Sequence, residues 1–227
     1  MEAYFNGIKK PLDNPLFQEY FLRKGKTAVV TIDMHKGHLD VEDPDCPCPS
    51  ASGRKIIEPI NGFTRQCREL GIPVIHVRSM LRADGADDIK GYPSAWRLLF
   101  PMSVGPIPGI DKHALEGTKW NDFMVEVKDQ DYIVSGKKRL SAFYPTDLEL
   151  LLRNMRIETV VLTGAMIDCC VLNTAFDAAN RDFRVVVPRD LVRGTDELQE
   201  SALRIISLHL GLVVDSDALV GEWRKQA

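Results

Sequence analysis

The sequence has 227 residues, of which 44% are hydrophobic and 27% are charged, proportions that are ordinary for one globular α/β domain. The net charge is −3 and the basic residues are spread along the chain, which argues against a nucleic-acid-binding surface. The start of the chain lacks the apolar core of a signal peptide, and no apolar run reaches the roughly 20 residues of a membrane span. We therefore expect a cytoplasmic protein with neither nucleic-acid nor membrane partners.

The cysteines are few and odd in number: Cys46, Cys48, Cys67, Cys169 and Cys170. An odd count in a chain of this size without a secretion signal argues against a framework of disulfide bonds. A thiol with a chemical role is the alternative use of cysteine in such a chain, and the neighbours of each cysteine decide which one qualifies.

Apolar runs alternate with amphipathic segments along the chain. The predicted strands cover 27–33, 73–77, 132–135, 159–163, 184–188 and 212–214. Helices are predicted over 53–70, 147–153, 170–180 and 196–210, with Thr146 as an N-cap. The strands are continuous apolar runs without alternation, which is typical of a parallel sheet covered by helices on both faces. The pattern predicts an α/β fold.

The interval 79–130 breaks this regularity, because it holds five glycines and four prolines. A long irregular connection inside a compact domain is usually a lid or a binding loop. Trp96 and Trp120 lie in it, and the sequence does not decide whether they wall a pocket or pack in the interior.

Reactive side chains follow three of the predicted strands. Asp33 ends the first strand, Lys137 lies just beyond the third, and Cys170 follows the fourth where the chain turns into a helix. In open parallel sheets the ligand site lies beyond the carboxyl ends of the strands. Each residue also has a structural alternative, since Asp33 can cap a loop, Lys137 belongs to a charge run and free cysteines are often buried. Their coincidence favours a catalytic site.

A carboxylate, an amine and a thiol together suit covalent catalysis. A thiol is a poor nucleophile until it loses its proton. The amino end of a helix and the cation Lys137 both favour the thiolate of Cys170. Asp33 can accept the thiol proton and return it to a departing nitrogen, which is the cycle that amide cleavage requires. Backbone N–H groups in the turn 164–168 (GAMID) can hold the developing oxyanion.

These residues resemble the isochorismatase-like cysteine hydrolases, which include nicotinamidases, N-carbamoylsarcosine amidases, biuret hydrolases and ureidoacrylate hydrolases. The resemblance rests on TAVVTIDMH, on KKRLSAFYPTDLELLLR and on VVLTGAMIDCCVLNTAFDAANRDFRVVVPRD. It identifies Cys170, and not Cys169, as the nucleophile, six residues after Gly164. Lys137 precedes the small-x-Phe motif of Ser141 and Phe143 by four residues.

The resemblance implies a three-layer fold with a six-stranded parallel sheet in Rossmann-like order, spanning a single domain over 27–227 after an extension over 1–26. It also implies a cis peptide bond between Ala165 and Met166, and an oxyanion hole made by the N–H groups of Met166 and Cys170. The expected assembly is a homo-oligomer, a dimer or a tetramer. The expected activity is hydrolysis of a small amide, N-carbamoyl or ureide compound through a thioester, with release of ammonia or an amine.

The sequence departs from the family pattern at several positions. Ile167 replaces the usual threonine, His35 stands where many members have glutamine, and His38 stands where many have a pocket phenylalanine. The Asp-x-His metal motif of nicotinamidases is missing, which disfavours a nicotinamidase, and Cys170 disfavours an isochorismatase proper. We expect no cofactor and no metal.

Two side chains are candidates for substrate contact, His38 by its position in the family and Arg78 because its guanidinium can pair with a carboxylate. His35, Asp40, Cys46 and Cys48 crowd the same loop as His38, but their spacing is not a standard zinc pattern. A different class of function also stays open, in which the adjacent thiols of Cys169 and Cys170 act as a redox sensor. Asp33 and Lys137 favour the amidohydrolase, because a sensor needs neither.

Overall fold

The computed structural model describes residues 1–87 and 92–226. Within these residues, nine strands form one sheet. The strands are β1 (Glu2–Phe5), β2 (Ile8–Pro11), β3 (Thr27–Ile32), β4 (Val74–Ser79), β5 (Tyr132–Lys137), β6 (Thr159–Ala165), β7 (Arg184–Pro188), β8 (Val192–Arg193) and β9 (Gly211–Val214). Their order is β2-β1-β9-β7-β6-β3-β4-β5, with β8 paired to β6.

The helices lie between the strands. They are α1 (Pro15–Phe21), α2 (Lys36–Leu39), α3 (Ala51–Arg54), α4 (Ile57–Glu69), α5 (Ala95–Val104), α6 (Leu148–Asn154), α7 (Leu172–Asn180), α8 (Gln199–Ile205) and α9 (Ser216–Arg224). Short 3₁₀ turns cover Lys24–Lys26, Ile110–Lys112, Lys119–Asn121 and Arg189–Leu191, and π-helical turns cover Ile167–Val171 and Ile206–Leu210.

The strand order places the end of β3 beside the end of β6. From the centre of the sheet, β3, β4 and β5 follow one another toward one edge, and β6, β7 and β9 follow one another toward the other. Each neighbouring pair among these six strands is parallel. This is the Rossmann-like order that the resemblance implies, and it puts a switch in strand order between β3 and β6. A crevice forms at such a switch, beyond the carboxyl ends of the strands.

The sheet is larger than the predicted six strands. All six predicted strands form, but the hairpin of β1 and β2 adds an antiparallel edge through the pairing of Tyr4 with Val213, and β8 adds a short parallel piece. The hairpin was not predicted because its strands have four residues each and β2, with the sequence IKKP, exposes every side chain. Such a strand has no apolar pattern to detect.

Burial on both faces explains why the central strands lack alternation. In β3, Ala28, Val30 and Ile32 contact one hydrophobic cluster, whereas Val29 contacts the other. Helices α6, α7 and α8 cover the first face, and α4 and α9 cover the second. Since successive side chains of a strand point to opposite faces, a strand between two helical layers is apolar throughout.

The helices differ from the sequence expectation in their bounds. The predicted helix 53–70 is two helices, α3 and α4, and the predicted helices 170–180 and 196–210 each include a π-helical turn. Thr146 lies just before the N-cap position of α6, and its hydroxyl accepts a hydrogen bond from Leu148 N at 3.2 Å.

Part of the interval that was expected to be irregular is helical. Helix α5 contains Pro101, and its side chains Leu98, Leu99 and Met102 are exposed. A helix with an interior proline and an exposed apolar face lacks the pattern that predicts an amphipathic helix. Residues 88–91 of this interval lie outside the described part of the chain. Among the described residues, no helix is both long and apolar enough to span a membrane.

Candidate active site

Asp33 lies immediately after β3, at the switch in strand order. Its side chain is 1% exposed, and its backbone has a φ of 52°, a left-handed conformation that is uncommon for residues other than glycine. At the neighbouring end of β6, residue 164 has no room for a side chain, because a Cβ on Gly164 would lie 2.2 Å from the carbonyl oxygen of Ile32. The backbones of β3 and β6 therefore approach closely only because residue 164 is a glycine.

Lys137 ends β5, and its side chain is 1% exposed. Its ammonium donates to Asp33 Oδ2 at 2.6 Å, to Ser79 Oγ at 3.0 Å and to Cys170 Sγ at 3.3 Å. An ammonium has three N–H donors, so each of them has one partner at this site. The predicted carboxylate, amine and thiol are thus brought together, with the amine between the other two.

Ser79 is the member of this cluster that sequence reasoning missed. Its backbone N–H and its hydroxyl both donate to Asp33 Oδ1, at 2.8 Å and 3.0 Å. Ser79 ends β4 and pairs with Lys137 of β5 after a shift in register between Arg78 and Ser79. The rule that functional side chains gather at the carboxyl ends of parallel strands would have indicated it, but a single serine carries no motif of its own.

Cys170 lies in the π-helical turn Ile167–Val171 rather than in the first turn of a regular helix. Turns of this kind often occur at functional sites. Thr174 fixes the turn by donating to the carbonyl oxygen of Cys170 at 2.7 Å while accepting from Ala142 N at 2.9 Å. The peptide bond between Ala165 and Met166, just before the turn, is cis.

The ionic states follow from these contacts. Burial alone would raise the pKa of Asp33, but the ammonium of Lys137 outweighs it and the pKa is lowered well below its usual range. Burial would lower the pKa of Lys137, yet Asp33 and the neighbouring thiols raise it. The pair is therefore a carboxylate and an ammonium.

The thiol behaves differently from the expectation that Lys137 and the helix would lower its pKa. Contact with the thiol of Cys169, at an Sγ–Sγ distance of 3.9 Å, and burial raise the pKa of Cys170 well above its usual range, against the opposing influence of Lys137. The same contact lowers the pKa of Cys169, so the two thiols titrate as a pair in which Cys170 holds its proton more tightly. We therefore expect Cys170 to lose its proton during the reaction.

A small cavity of about 50 Å³ opens on these groups, a volume well below the usual range for sites that bind drug-sized molecules. It is lined by Asp33, His38, Ser79, Leu81, Trp96, His113, Lys137, Lys138, Arg139, Leu140, Cys169 and Cys170. Trp96, which the sequence left open, is thus a wall of the cavity. His38 also lines it, in the place where substrate contact was predicted.

Three imidazoles pack against one another at tilted angles on one side of this region. The ring centroid of His38 lies 4.6 Å from that of His35 and 4.9 Å from that of His113. Burial lowers the pKa of His35 to about 3, lowers that of His38 and holds that of His113 well below its usual range. The three rings are therefore neutral near pH 7 and contribute no positive charge.

The structure does not bring Arg78 to the cavity. Its guanidinium donates to the carbonyl oxygen of Asn121 at 2.5 Å and stacks on the ring of Phe123, at 4.7 Å from the centroid. Trp120 is also used structurally, since its carbonyl oxygen bonds to His35 Nδ1 at 2.8 Å. In the described parts of the chain, no group of three or more His, Cys, Asp or Glu side chains is arranged to hold a metal ion.

Comparison with known proteins gives a family for this arrangement. The family model described as the isochorismatase domain matches residues 27–218. The chain belongs to the isochorismatase family. A curated relative, the ureidoacrylate amidohydrolase RutB of Methylorubrum extorquens, is 29% identical over 83% of this chain and 79% of its own length. The N-carbamoylsarcosine amidase of an Arthrobacter species is 27% identical over 74% of this chain and 59% of its own length.

A solved structure supports the fold. The cysteine hydrolase from Pseudomonas syringae has a TM-score of 0.79 and 22% sequence identity, and the alignment covers 95% of this chain and 98% of that protein. The match confirms the predicted α/β fold with helices on both faces of a mostly parallel sheet. Family membership and the amidase and amidohydrolase relatives make this chain a hydrolase that acts on C–N bonds other than peptide bonds.

Proposed function

We propose that this hydrolase cleaves the C–N bond of a small amide, N-carbamoyl or ureide compound, with Cys170 as a covalent nucleophile and Asp33 and Lys137 as its partners. One observation carries the proposal. The buried ammonium of Lys137 contacts both Asp33 Oδ2, at 2.6 Å, and Cys170 Sγ, at 3.3 Å, where all three groups line a cavity.

The first step forms a C–S bond and breaks the S–H bond. Cys170 Sγ attacks the carbonyl carbon while Lys137 gives one proton to Asp33 Oδ2 and takes the proton of the thiol. The ammonium is thereby regenerated, and the carboxylate becomes a carboxylic acid. Because Cys170 holds its proton tightly in the free site, we expect the thiolate to form together with the C–S bond.

The second step releases nitrogen. The negative oxygen of the tetrahedral intermediate is held by the backbone N–H groups of Met166 and Cys170, as at other oxyanion holes. Asp33 returns its proton to the departing nitrogen, so ammonia or an amine leaves and a thioester remains on Cys170. Asp33 then takes a proton from the water that attacks the thioester. The C–S bond breaks, and the proton returns from Asp33 through Lys137 to Cys170 Sγ, so that the acid leaves and the thiol is restored.

The relatives support this choice of bond, because one is an N-carbamoylsarcosine amidase and another a ureidoacrylate amidohydrolase. The cavity volume of about 50 Å³ favours a small substrate. Within the same class, a nicotinamidase-type or an isochorismatase-type hydrolase is the alternative, and nicotinamide therefore belongs among the substrates tested.

A redox sensor is the alternative from another class, and the Sγ–Sγ distance of 3.9 Å between Cys169 and Cys170 favours it. Sensing requires only that the two thiols react with an oxidant. The ion pair of Asp33 and Lys137 beside the sulfur has no part in such a role, so the two functions differ in what Asp33 does.

The test measures ammonia release from primary amides, N-carbamoyl compounds, biuret, triuret and nicotinamide. Cys170→Ala should abolish release from every active substrate, and the matched control Cys169→Ala should retain a readily measured fraction. No release from any compound, or an active Cys170→Ala enzyme, would leave the sensor as the better account.

Three further expectations stay predictions: a hydrolase domain that begins at residue 27, a cytoplasmic location, and assembly into a homo-oligomer, a dimer or a tetramer. Light scattering after size-exclusion chromatography would measure the mass of the assembly against the 25.5 kDa of one chain.

A further inference from the structure

The charges that line the cavity do not cancel. Asp33 and Lys137 neutralise each other at 2.6 Å, and Lys138 pairs with Asp87 at 3.2 Å. Arg139 also lines the cavity, and in residues 1–87 and 92–226 its guanidinium has no carboxylate partner. The cavity therefore carries one positive charge that no acidic side chain of the described chain offsets.

The contacts of Arg139 are with neutral groups. One terminal nitrogen donates to the carbonyl oxygen of Lys138 at 2.8 Å, and the other donates to the carbonyl oxygen of Asp87 at 2.9 Å. A guanidinium has five N–H donors, so these two bonds leave donors for a ligand. They also hold the side chain in place, which lowers the entropy lost when an anion binds.

The other cavity side chains do not compete for this role. His38 and His113 are kept neutral by burial, whereas Leu81, Trp96 and Leu140 present apolar surface. A substrate that is complementary to these side chains has a short apolar body, a C–N bond that reaches Cys170, and a negatively charged group.

We propose that Arg139 determines specificity by binding a carboxylate of the substrate. The proposal rests on the proposed function, and it narrows the substrate class to amides, N-carbamoyl or ureide compounds that carry an acid group. A guanidinium matches a carboxylate through two parallel hydrogen bonds, which fix the orientation of the molecule as well as its charge. Binding at Arg139 would thus orient the scissile carbonyl at Cys170.

The first experiment compares acids with uncharged molecules of the same shape. N-carbamoylglycine is paired with isobutylurea, and succinamate is paired with 4-methylpentanamide, because an isopropyl group replaces the carboxylate in each case. We expect the wild type to favour the acid by at least about tenfold in kcat/KM, as charged hydrogen bonds do. Arg139→Gln should lower kcat/KM for the acid about 10–100-fold, mainly through KM, and for the uncharged partner less than about threefold. Arg139→Lys keeps the positive charge, so its kcat/KM for the acid should lie between those of the wild type and Arg139→Gln.

The second experiment does not depend on turnover. Succinate at increasing concentration should protect Cys170 from alkylation by iodoacetamide in the wild type, whereas butane-1,4-diol should not. In Arg139→Gln the concentration needed for protection should rise at least about tenfold. The matched control is Arg82→Gln, since Arg82 is exposed, pairs with Asp84 and does not line the cavity; its protection should equal that of the wild type.

The two experiments separate the two proposals. Succinate protection that is lost in Arg139→Gln supports the anion site even if no compound releases ammonia, in which case the proposed function fails alone. The role of Arg139 would be overturned if Arg139→Gln lost kcat/KM equally for the acid and its uncharged partner, or if succinate still protected Cys170 in Arg139→Gln as in the wild type. Either result would leave the hydrolase function in place.

Discussion

Strands β3, β4 and β5 carry two buried ionic networks. The network at their carboxyl ends joins Asp33, Ser79 and Lys137. The second is formed through consecutive hydrogen bonds by Thr31 of β3, His76 of β4, Asp131 just before β5 and Arg68 of α4. Both contain an ion pair of nearly buried groups, with Nζ–Oδ2 at 2.6 Å in the first and NH2–Oδ2 at 2.8 Å in the second.

The two networks differ in what adjoins them. The ammonium of Lys137 has a donor left for the thiol of Cys170, and its network lines the cavity. Asp131 instead accepts two bonds from the guanidinium of Arg68 and one from the backbone of Lys128, and its network does not line that cavity. A buried ion pair is thus not a sign of catalysis by itself. Arg68 and Asp131 line a cavity of their own, so it is the contact of Lys137 with the thiol of Cys170 that distinguishes the first network.

The largest effect is expected from Asp33→Asn, which removes the proton acceptor with little change of shape. We expect kcat to fall at least about 10³-fold at every pH, because general acid and base catalysis is lost together. The measurement is ammonia release at substrate saturation from pH 6 to 9. Activity within tenfold of the wild type would remove Asp33 from the mechanism.

Asp131→Asn should have the opposite effect: it should lower the free energy of unfolding and leave kcat nearly unchanged. The variant leaves the guanidinium of Arg68 without its carboxylate, and we expect the free energy of unfolding to fall by about 2–4 kcal/mol. Urea unfolding measures this loss, and kcat per folded molecule should stay within about threefold of the wild type. A larger loss of kcat with normal stability would mean that the two networks are coupled.

Ser79→Ala removes the hydroxyl that accepts from Lys137 and donates to Asp33, but it keeps the backbone N–H bond to Asp33. We expect kcat/KM to fall about 10–100-fold, the value of a hydrogen bond between charged and neutral groups. The pH dependence of the rate at which iodoacetamide alkylates Cys170 should also change, because Lys137 loses its hydrogen bond to the hydroxyl of Ser79.

Two variants control this result. Ser79→Thr retains the hydroxyl and should recover most of the loss, whereas Ser135→Ala, an exposed serine on β5, should leave kcat/KM unchanged. An unaltered Ser79→Ala enzyme would show that the backbone alone positions Asp33.

The remaining prediction concerns the pH dependence of the free energy of unfolding. Burial lowers the pKa of His35, His38, His76 and His113, whereas in the unfolded chain these groups titrate near 6.5. Below that pH the unfolded state binds more protons, so the free energy of unfolding should fall between pH 6.5 and 4.5, by up to about 1.4 kcal/mol per pH unit for each group. Urea unfolding at pH 7, 6 and 5 checks it. A flat profile would mean that these rings accept protons in the folded state.

The strands and the proximity of Asp33, Lys137 and Cys170 could be predicted because both follow from burial. The predicted strand 184–188 matches β7 residue for residue, and β5 exceeds the prediction only at its end, where Gly136 and Lys137 are polar or small. Asp33, Lys137 and Cys170 were found because polar groups that end apolar runs stand out in a sequence.

The substrate side of the site could not be predicted in the same way. Ser79 and Arg139 have neighbours that depend on the register of β4 with β5 and on the course of residues 79–87, neither of which is written in local patterns. Arg78 was predicted to contact the substrate because it lies just past a predicted strand, yet its guanidinium reaches Asn121. Side-chain direction after a strand end is decided by tertiary contacts.

The most direct test of the account is the covalent intermediate on Cys170. Wild-type enzyme is mixed with the best substrate of the panel, quenched in acid within milliseconds to seconds and weighed intact, and digestion then locates the added mass. We predict an acyl or carbamoyl adduct on the peptide that contains Cys169 and Cys170, present in Cys169→Ala and absent in Cys170→Ala. An adduct that persists in Cys170→Ala and disappears in Cys169→Ala would contradict the account.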